Sequence, residues 1–201
     1  MFTKRTLAAA LTAALATFSA QAGLVNGSFE TNLQTPGSYG IYSSLAGWQG
    51  GTAGIELRNA LVGNAQDGAN FVELDTTANS SMWQTVLTQA GATYEISLWY
   101  SPRSGVNGNS NGIEVWWDNA KLGMLNGSGQ NNPGNVWRQY TFAVAGTGSN
   151  TLRFVATGNS DALGGSLDNV RLSTVPEPAS LALVLGALAA GGLAMRRRSR
   201  A

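Results

Sequence analysis

The chain contains neither cysteine nor histidine among its 201 residues. Without cysteine, no disulfide bond can stabilise the fold. Without histidine, the Ser-His-Asp and Cys-His mechanisms and the usual zinc ligand sets are excluded. These two absences argue against a conventional hydrolase, and we predict that the protein is not an enzyme.

Charge is also scarce, since only 11% of the residues are Asp, Glu, Lys or Arg. The net charge of +1 comes from the two ends of the chain. Residues 23–174 carry six basic and ten acidic side chains, which is a net charge of −4. Nucleic-acid binding needs clustered Lys and Arg side chains, so this mildly acidic region argues against a nucleic-acid partner.

The N-terminal residues 1–22 have the organisation of a secretory signal peptide. Lys4 and Arg5 form a basic start, and residues 7–18 form a short apolar segment. The sequence Ala20-Gln21-Ala22 has the small-x-small pattern of a cleavage site. We therefore predict export and cleavage after Ala22; the alternative is an uncleaved N-terminal anchor.

The C-terminal residues 175–201 form a second segment of unusual composition. They open with Val175-Pro176-Glu177-Pro178, whose prolines cannot continue a regular element. An apolar run over residues 179–195 follows, and as a helix it would span roughly 25 Å, slightly less than a membrane core of about 30 Å. A basic end comes next, and it would hold the terminus on the cytoplasmic side. Its triple-arginine cluster is Arg196, Arg197 and Arg198.

The order of Pro-Glu-Pro, short hydrophobic helix and basic end resembles the PEP-CTERM sorting signal of Gram-negative bacteria. The resemblance covers only residues 175–201. It implies processing by an exosortase, a transient membrane anchor, and a final location at the cell surface or in the exopolysaccharide matrix. The alternative is an ordinary C-terminal membrane anchor.

The region between these ends, residues 23–174, alternates apolar and polar residues with a period of two. Tyr94, Ile96, Leu98 and Tyr100 share one face, for example, as expected of a strand buried on one side. Asn-Gly, Asp-Gly and Gly-Gly turns separate such segments, and no helical period is sustained. We predict one all-β antiparallel sandwich between a signal helix and a single transmembrane helix. The predicted strands cover residues 54–58, 70–75, 82–87, 93–100, 113–118, 139–144, 152–155 and 166–172. The predicted core comprises Phe29, Leu74, Tyr94, Ile96, Leu98, Val115, Trp117, Phe142, Phe154 and Val170.

Short motifs in this region carry a second resemblance. The region opens with Leu-Val-Asn-Gly-Ser-Phe-Glu at residues 24–30 and closes with Leu-Asp-Asn-Val-Arg-Leu at residues 167–172. Between them lie Phe-Val-Glu-Leu-Asp at residues 71–75 and a Gly-Ala-Thr-Tyr-Glu-Ile-Ser-Leu segment at residues 91–98. This order is similar to the galactose-binding-like jelly roll of many carbohydrate-binding modules. It covers nearly all of residues 23–174.

A structural calcium ion is one implication of that resemblance. In the family, the residues matching Glu30 and Asp168 often ligate calcium. By alternation Asp168 shares a face with Val170 and Leu172, where an ionised carboxylate needs a partner, and Glu30 ends the predicted opening strand beside it. The alternatives are that Asp168 accepts backbone hydrogen bonds or pairs with an arginine.

An exposed tryptophan is the best candidate for sugar binding. Trp116 and Trp117 are adjacent, so they face opposite sides of their strand. If Trp117 is in the core, Trp116 faces outward beside Glu114 and Asp118, where it could stack on a pyranose ring while the carboxylates accept hydroxyl hydrogen bonds. The alternative is that a loop or the C-terminal tail covers Trp116.

A pair of carboxylates, Glu73 and Asp75, has a spacing compatible with glycoside hydrolysis. The alternatives are a solvent-exposed Glu73 and a turn-capping Asp75, and we assign no catalytic residue.

Taken together, the two ends of the chain, the fold resemblance and Trp116 predict a surface protein that binds exopolysaccharide. The other possibilities are a structural surface protein with no ligand and, least favoured, a carboxylate-dependent glycosidase.

Overall fold

The computed structural model describes residues 23–176, which form two antiparallel six-stranded β-sheets packed face to face. This confirms the predicted all-β sandwich. The predicted signal helix and transmembrane helix lie outside the described residues. Within residues 23–176 the sole helical element is a single 3₁₀ turn, Gly108–Ser110, and no helix there is long and apolar enough to cross a membrane.

Sheet A has the strand order β1-β4-β5-β12-β7-β10, and adjacent strands in it are all antiparallel. Its six strands are β1 (Ser38–Tyr42), β4 (Ile55–Asn59), β5 (Asn70–Glu73), β7 (Thr93–Ser101), β10 (Arg138–Ala145) and β12 (Ser166–Thr174).

Sheet B has the strand order β2-β3-β6-β11-β8-β9 and is likewise antiparallel. Its six strands are β2 (Ser44–Leu45), β3 (Trp48–Gly50), β6 (Ser81–Leu87), β8 (Gly112–Trp117), β9 (Ala120–Leu125) and β11 (Ser149–Thr157).

The core lies between the sheets and follows the predicted alternation. Strand β7 buries Tyr94, Ile96, Leu98 and Tyr100 on its inner face, as predicted. Nine of the ten predicted core residues are buried, and Phe142 is half-buried because its strand, β10, forms an edge of sheet A. Each fully buried large apolar side chain contributes roughly 1.5–3 kcal/mol to stability.

The opening segment differs from the prediction, since residues 23–30 form turns and no strand. Asn26 and Phe29 have φ angles of 53° and 61°, and a strand cannot contain this left-handed conformation. The Phe29 side chain is nevertheless fully buried, with its ring centroid 5.9 Å from that of Trp48. The segment reaches the last strand through one backbone hydrogen bond, from Val170 N to Gly27 O (2.8 Å).

A β-bulge in β12 corrects a second prediction. Its pairing with β7 shifts between Asp168 and Arg171, where Asn169 has a φ angle of 47°. Leu167 is in the core, so Asp168 faces the outer side of sheet A. The extra residue then returns Val170 to the core. Asp168 therefore does not share a face with Val170, although it is fully buried.

The outer faces of the two sheets differ in their cover. In sheet A, β4 and β5 are buried along their whole length, on both faces. Part of the cover is Trp137, which packs edge-on against Phe71 at 5.9 Å and donates a hydrogen bond from Nε1 to Asn64 O (2.9 Å). In sheet B, the outward residues of β6, β8 and β11 are half-buried or exposed, with the single exception of Gly112.

Candidate functional site

The open outer face of sheet B carries a row of aromatic and basic side chains. Strand register aligns Trp83 of β6 with Arg153 of β11, Arg153 with Trp116 of β8, and Trp116 with Lys121 of β9. The neighbours of these residues along β6, β8 and β11 are buried in the core, so alternation turns the row outward. We call Trp83, Arg153, Trp116 and Lys121 the tryptophan–arginine row.

Arg153 lies between the two tryptophans. Its guanidinium carbon is 5.3 Å from the centroid of the Trp116 ring, which is a cation–π contact. Its Nε atom is buried and donates no hydrogen bond, and none of the ion pairs among residues 23–176 includes Arg153. The aromatic ring therefore holds the arginine in place, while no carboxylate in the described part of the chain forms an ion pair with it.

Glu114 fixes the orientation of Trp116. The indole Nε1 of Trp116 donates to Glu114 Oε2 (3.0 Å), and Lys121 Nζ donates to Glu114 Oε1 (2.5 Å). The hydrogen bond from Lys121 lowers the pKa of Glu114, so this carboxylate is ionised at neutral pH. The structure therefore brings Trp116 and Glu114 together, as the sequence predicts, but both carboxylate oxygens already bind protein donors.

The Asp118 side chain stabilises the turn that follows β8. Asp118 has a φ angle of 52° at the end of β8, and its carboxylate accepts hydrogen bonds from Asn150 Nδ2 and from Thr151 N, both at 2.7 Å. The Asp118 side chain is exposed but is occupied by these donors. It contributes to the shape of the site more than to free hydrogen-bonding capacity.

A groove of about 430 Å³ lies on this face beside Arg153. Its volume falls in the range of small-ligand sites. It combines one aromatic side chain, one cation and several small polar groups. It is lined by Ser81, Trp83, Asp118, Asn119, Thr151 and Arg153.

Sequence reasoning missed Trp83 and Arg153. Both are on predicted strands, and the burial of Met82 and Phe154 already implies that they face outward. The missing information was the strand order, because β6, β11 and β8 become neighbours only through long connections.

The proposed calcium ligands bind one loop from two positions. Glu30 Oε1 accepts hydrogen bonds from Ala69 N (2.9 Å) and Asn70 N (2.7 Å). Asp168 Oδ2 accepts from Gln66 N (2.7 Å) and Asp67 N (3.0 Å), and its Oδ1 accepts from Asn169 N (2.6 Å).

Burial raises the pKa of Asp168 to about 7, against the effect of those N–H donors. A calcium ligand must turn its oxygen lone pairs toward the ion, whereas both oxygens of Asp168 face N–H groups. The arrangement fits the alternative in which Asp168 accepts backbone hydrogen bonds, and a calcium ion at Glu30 and Asp168 stays a prediction. Residues 23–176 hold no group of three or more Asp, Glu, His or Cys side chains placed to bind a metal.

The paired carboxylates Glu73 and Asp75 are both fully buried, so the alternative of an exposed Glu73 is wrong. Arg103 Nη1 donates to both oxygens of Glu73 (2.8 and 3.0 Å), and Arg58 Nη2 lies 3.3 Å from its Oε2. Burial raises the pKa of Glu73 to about 7, although both arginines oppose this shift. Asp75 Oδ2 accepts backbone hydrogen bonds from the loop formed by residues 158–165. The two carboxylates therefore stabilise the fold, Glu73 through its arginine partners and Asp75 through this loop.

Of the predicted sorting motif, Val175 and Pro176 are described and both are exposed. Val175 N donates to Thr93 O (2.9 Å), which is the last hydrogen bond of the sandwich. Glu177, Pro178 and the three arginines at residues 196–198 lie outside the described residues.

No protein-family model matches the chain. Two similar curated proteins are the multifunctional-autoprocessing repeats-in-toxin proteins of Vibrio cholerae and Vibrio vulnificus, each 33% identical, over 149 and 150 residues. The matches cover 73% of this chain, which spans only 3% of the length of each toxin.

Similar solved structures include the K2 cleaved adhesin domain of Lys-gingipain, with a TM-score of 0.53, 14% identity, and coverage of 75% of this chain and 97% of that domain. The carbohydrate-binding module TmCBM61, solved with β-1,4-galactotriose, has a TM-score of 0.50 and 20% identity over 76% of this chain and 97% of the module. The chain therefore has the β-sandwich fold of a carbohydrate-binding module and a bacterial adhesin domain.

Proposed function

We propose that this protein is an exported bacterial surface or matrix protein that binds polysaccharide through the outer face of sheet B. The observation that carries the proposal is the tryptophan–arginine row: two tryptophans point outward on an uncovered sheet face with Arg153 between them. The fold shared with a carbohydrate-binding module supports it.

The row suits a sugar chain for a physical reason. A pyranose ring has an apolar face that stacks on an indole, and hydroxyl groups at its rim that need hydrogen-bond partners. Trp83 and Trp116 are two strands apart, roughly 10 Å by strand spacing, so one extended oligosaccharide could contact both. Arg153 and the polar groups of the groove would bind its hydroxyls.

A glycan array tests this proposal. We expect the purified full chain to bind a defined class of glycan, and the Trp83→Ala/Trp116→Ala double variant to lose that binding. Tyr39→Ala is the matched control, because Tyr39 is an exposed aromatic over Arg58 on the opposite sheet. Absence of any glycan signal, or binding unchanged in the double variant, would leave a structural surface protein as the better account.

We also propose that an exosortase processes the chain near Pro176, Glu177 and Pro178 after transient membrane anchoring. The exposed end of the sandwich at Val175 and Pro176 supports this, because a protease could reach it. Replacing the three motif residues with alanine should leave the chain membrane-bound and unprocessed in a host with an exosortase. Cleavage of that variant at the normal site would favour an ordinary anchor.

The glycosidase alternative loses its geometric basis. Glu73 and Asp75 are inaccessible, and protein donors occupy both oxygens of Glu73 and one oxygen of Asp75. A hydrolysis assay that compares the full chain with Glu73→Gln checks this, and we expect no turnover from either.

A further inference from the structure

Six buried side-chain polar atoms within residues 23–176 have no hydrogen-bond partner, and two of them are carboxyl or amide oxygens at one end of the sandwich. These two are Oδ1 of Asp75, which follows β5, and Oδ1 of Asn79, which precedes β6. The Asp75 side chain is fully buried. Buried polar atoms without a partner are costly and rare, so each one calls for a donor or an ion.

Both side chains reach the same loop. Asp75 and Asn79 form an antiparallel β-bridge, which places their Cβ atoms about 4.5–5.5 Å apart on one side of the backbone. Asp75 Oδ2 accepts hydrogen bonds from Asp161 N (3.0 Å) and Leu163 N (3.3 Å). Asn79 Nδ2 donates to Gly158 O (3.0 Å), so its amide orientation is set and its Oδ1 remains unpaired.

A third oxygen donor comes from the loop itself. Asp161 is exposed, and its Oδ2 accepts a hydrogen bond from Ser110 Oγ (2.7 Å). Its backbone N–H donates to Asp75 Oδ2 (3.0 Å), so the two aspartates are in direct contact. No basic side chain within residues 23–176 forms an ion pair with either carboxylate.

We infer that Asp75, Asn79 and Asp161 bind a hard divalent cation, with calcium as the expected ion. The set is composed entirely of oxygen donors, with two carboxylates and one amide carbonyl, which is the chemistry that calcium prefers. An exposed loop residue leaves room for water to complete the coordination. Unlike Asp168, whose oxygens all face N–H groups, Asp75 keeps one oxygen unpaired.

The ion would fasten the 158–165 loop to the turn between β5 and β6. Without an ion, two neighbouring carboxylates repel each other at the point where the loop is attached. Calcium should therefore stabilise this end of the sandwich. A buried water molecule or a protonated Asp75 would satisfy the same oxygens without a cation. In either case, calcium should not change the midpoint of thermal unfolding.

Thermal unfolding of the purified full chain, followed by tryptophan fluorescence after treatment with a chelator, tests the proposal. We expect calcium chloride at millimolar concentration to raise the midpoint by several degrees, and magnesium chloride to raise it less. Asp161→Asn should abolish the calcium-induced rise. Because Asp161 is exposed, this variant should fold.

Matched variants locate the ion. Glu30→Gln should keep the full calcium-induced rise, because its carboxylate lies in another part of the fold. Asn79→Asp should lower the midpoint in chelator and enlarge the rise with calcium, since it adds a third carboxylate. The proposal is overturned if the wild type does not respond to calcium, if Asp161→Asn responds as the wild type does, or if the response is lost in Glu30→Gln.

Discussion

The two outer faces of the sandwich carry similar aromatic–arginine contacts, but the arginine is buried on sheet A and half-buried on sheet B. On sheet A, Tyr39 lies over Arg58, whose guanidinium carbon is 5.9 Å from the ring centroid, and on sheet B Arg153 lies over Trp116 at 5.3 Å. Arg58 is buried and contacts the buried Glu73. Among residues 23–176, no carboxylate forms an ion pair with Arg153, which borders an open groove.

This difference separates a stabilising cluster on sheet A from the proposed binding surface on sheet B. Where loops cover a sheet face, each charge needs a partner, and the partners use up its hydrogen-bonding capacity. Where the face is open, an arginine can be held by stacking alone and keep its donors for a ligand. An aromatic–arginine contact can therefore have either role, depending on whether loops cover the sheet face.

The largest effect should come from the core that both sheets share. Phe154→Ala should lower the free energy of unfolding by about 3–5 kcal/mol, because it leaves a cavity beside Trp48, whose ring centroid is 6.0 Å away. Phe142→Ala at the half-buried edge is the control and should cost clearly less. Denaturant unfolding measures both, and equal losses would contradict the assigned core.

Arginine replacements should distinguish the two faces directly. Arg103→Ala should cost about 3 kcal/mol, since it removes the two hydrogen bonds to a carboxylate that stays buried. Arg153→Ala should cost under about 1 kcal/mol, because only stacking is lost. The same unfolding experiment decides, and a larger loss for Arg153→Ala would reverse our view of the two faces.

The pH dependence of stability should originate on the outer face of sheet A, where buried carboxyl groups lie. Burial raises the pKa of Asp168 to about 7, so its contribution to stability is complete below the ordinary pKa of aspartate and is lost as pH rises through 7. The free energy of unfolding should fall as pH rises, by at most about 1.4 kcal/mol per pH unit for one proton, mainly between about pH 4 and pH 7. Melting temperatures measured across this range should fall with it and level off at higher pH. Asp168→Asn should reduce this slope, and the part that remains is expected from Glu73, whose pKa burial also raises to about 7. A slope of the opposite sign would show that Asp168 is ionised in the folded protein.

The smallest effect on stability is expected for Trp116→Ala. Trp116 is half-buried and donates one hydrogen bond, to Glu114, so its loss should cost under about 1 kcal/mol. Circular dichroism melting curves that match the wild type within a few degrees would support this. A collapse of the fold would show that Trp116 is a core residue.

Much of the fold could be predicted from the sequence, because strands with one buried face alternate visibly. The eight strands predicted from residue 54 onward are all present, with small differences at their ends, whereas the predicted opening strand is absent. The short strands β1, β2 and β3 were missed, as was β9, whose residues show little alternation of burial. The bulge at Asn169 was invisible, since a single residue in the left-handed region leaves no periodic signal.

The candidate site was predictable only in part. That Trp116 faces outward follows from the burial of Val115 and Trp117, which alternation anticipates. The position of Arg153 beside it depends on the register between β8 and β11, which lie more than thirty residues apart in the chain. Likewise, the burial of Glu73 depends on loops whose paths no local pattern reveals.

Affinity electrophoresis in a gel containing the polysaccharide selected by the glycan array is the most direct test of sheet B as the binding surface. Three chains are compared: the wild type, Trp116→Ala and Tyr39→Ala. We predict that the wild type and Tyr39→Ala are retarded equally and that Trp116→Ala migrates as it does in a gel without polysaccharide. Equal retardation of all three, or loss of retardation in Tyr39→Ala alone, would contradict the account.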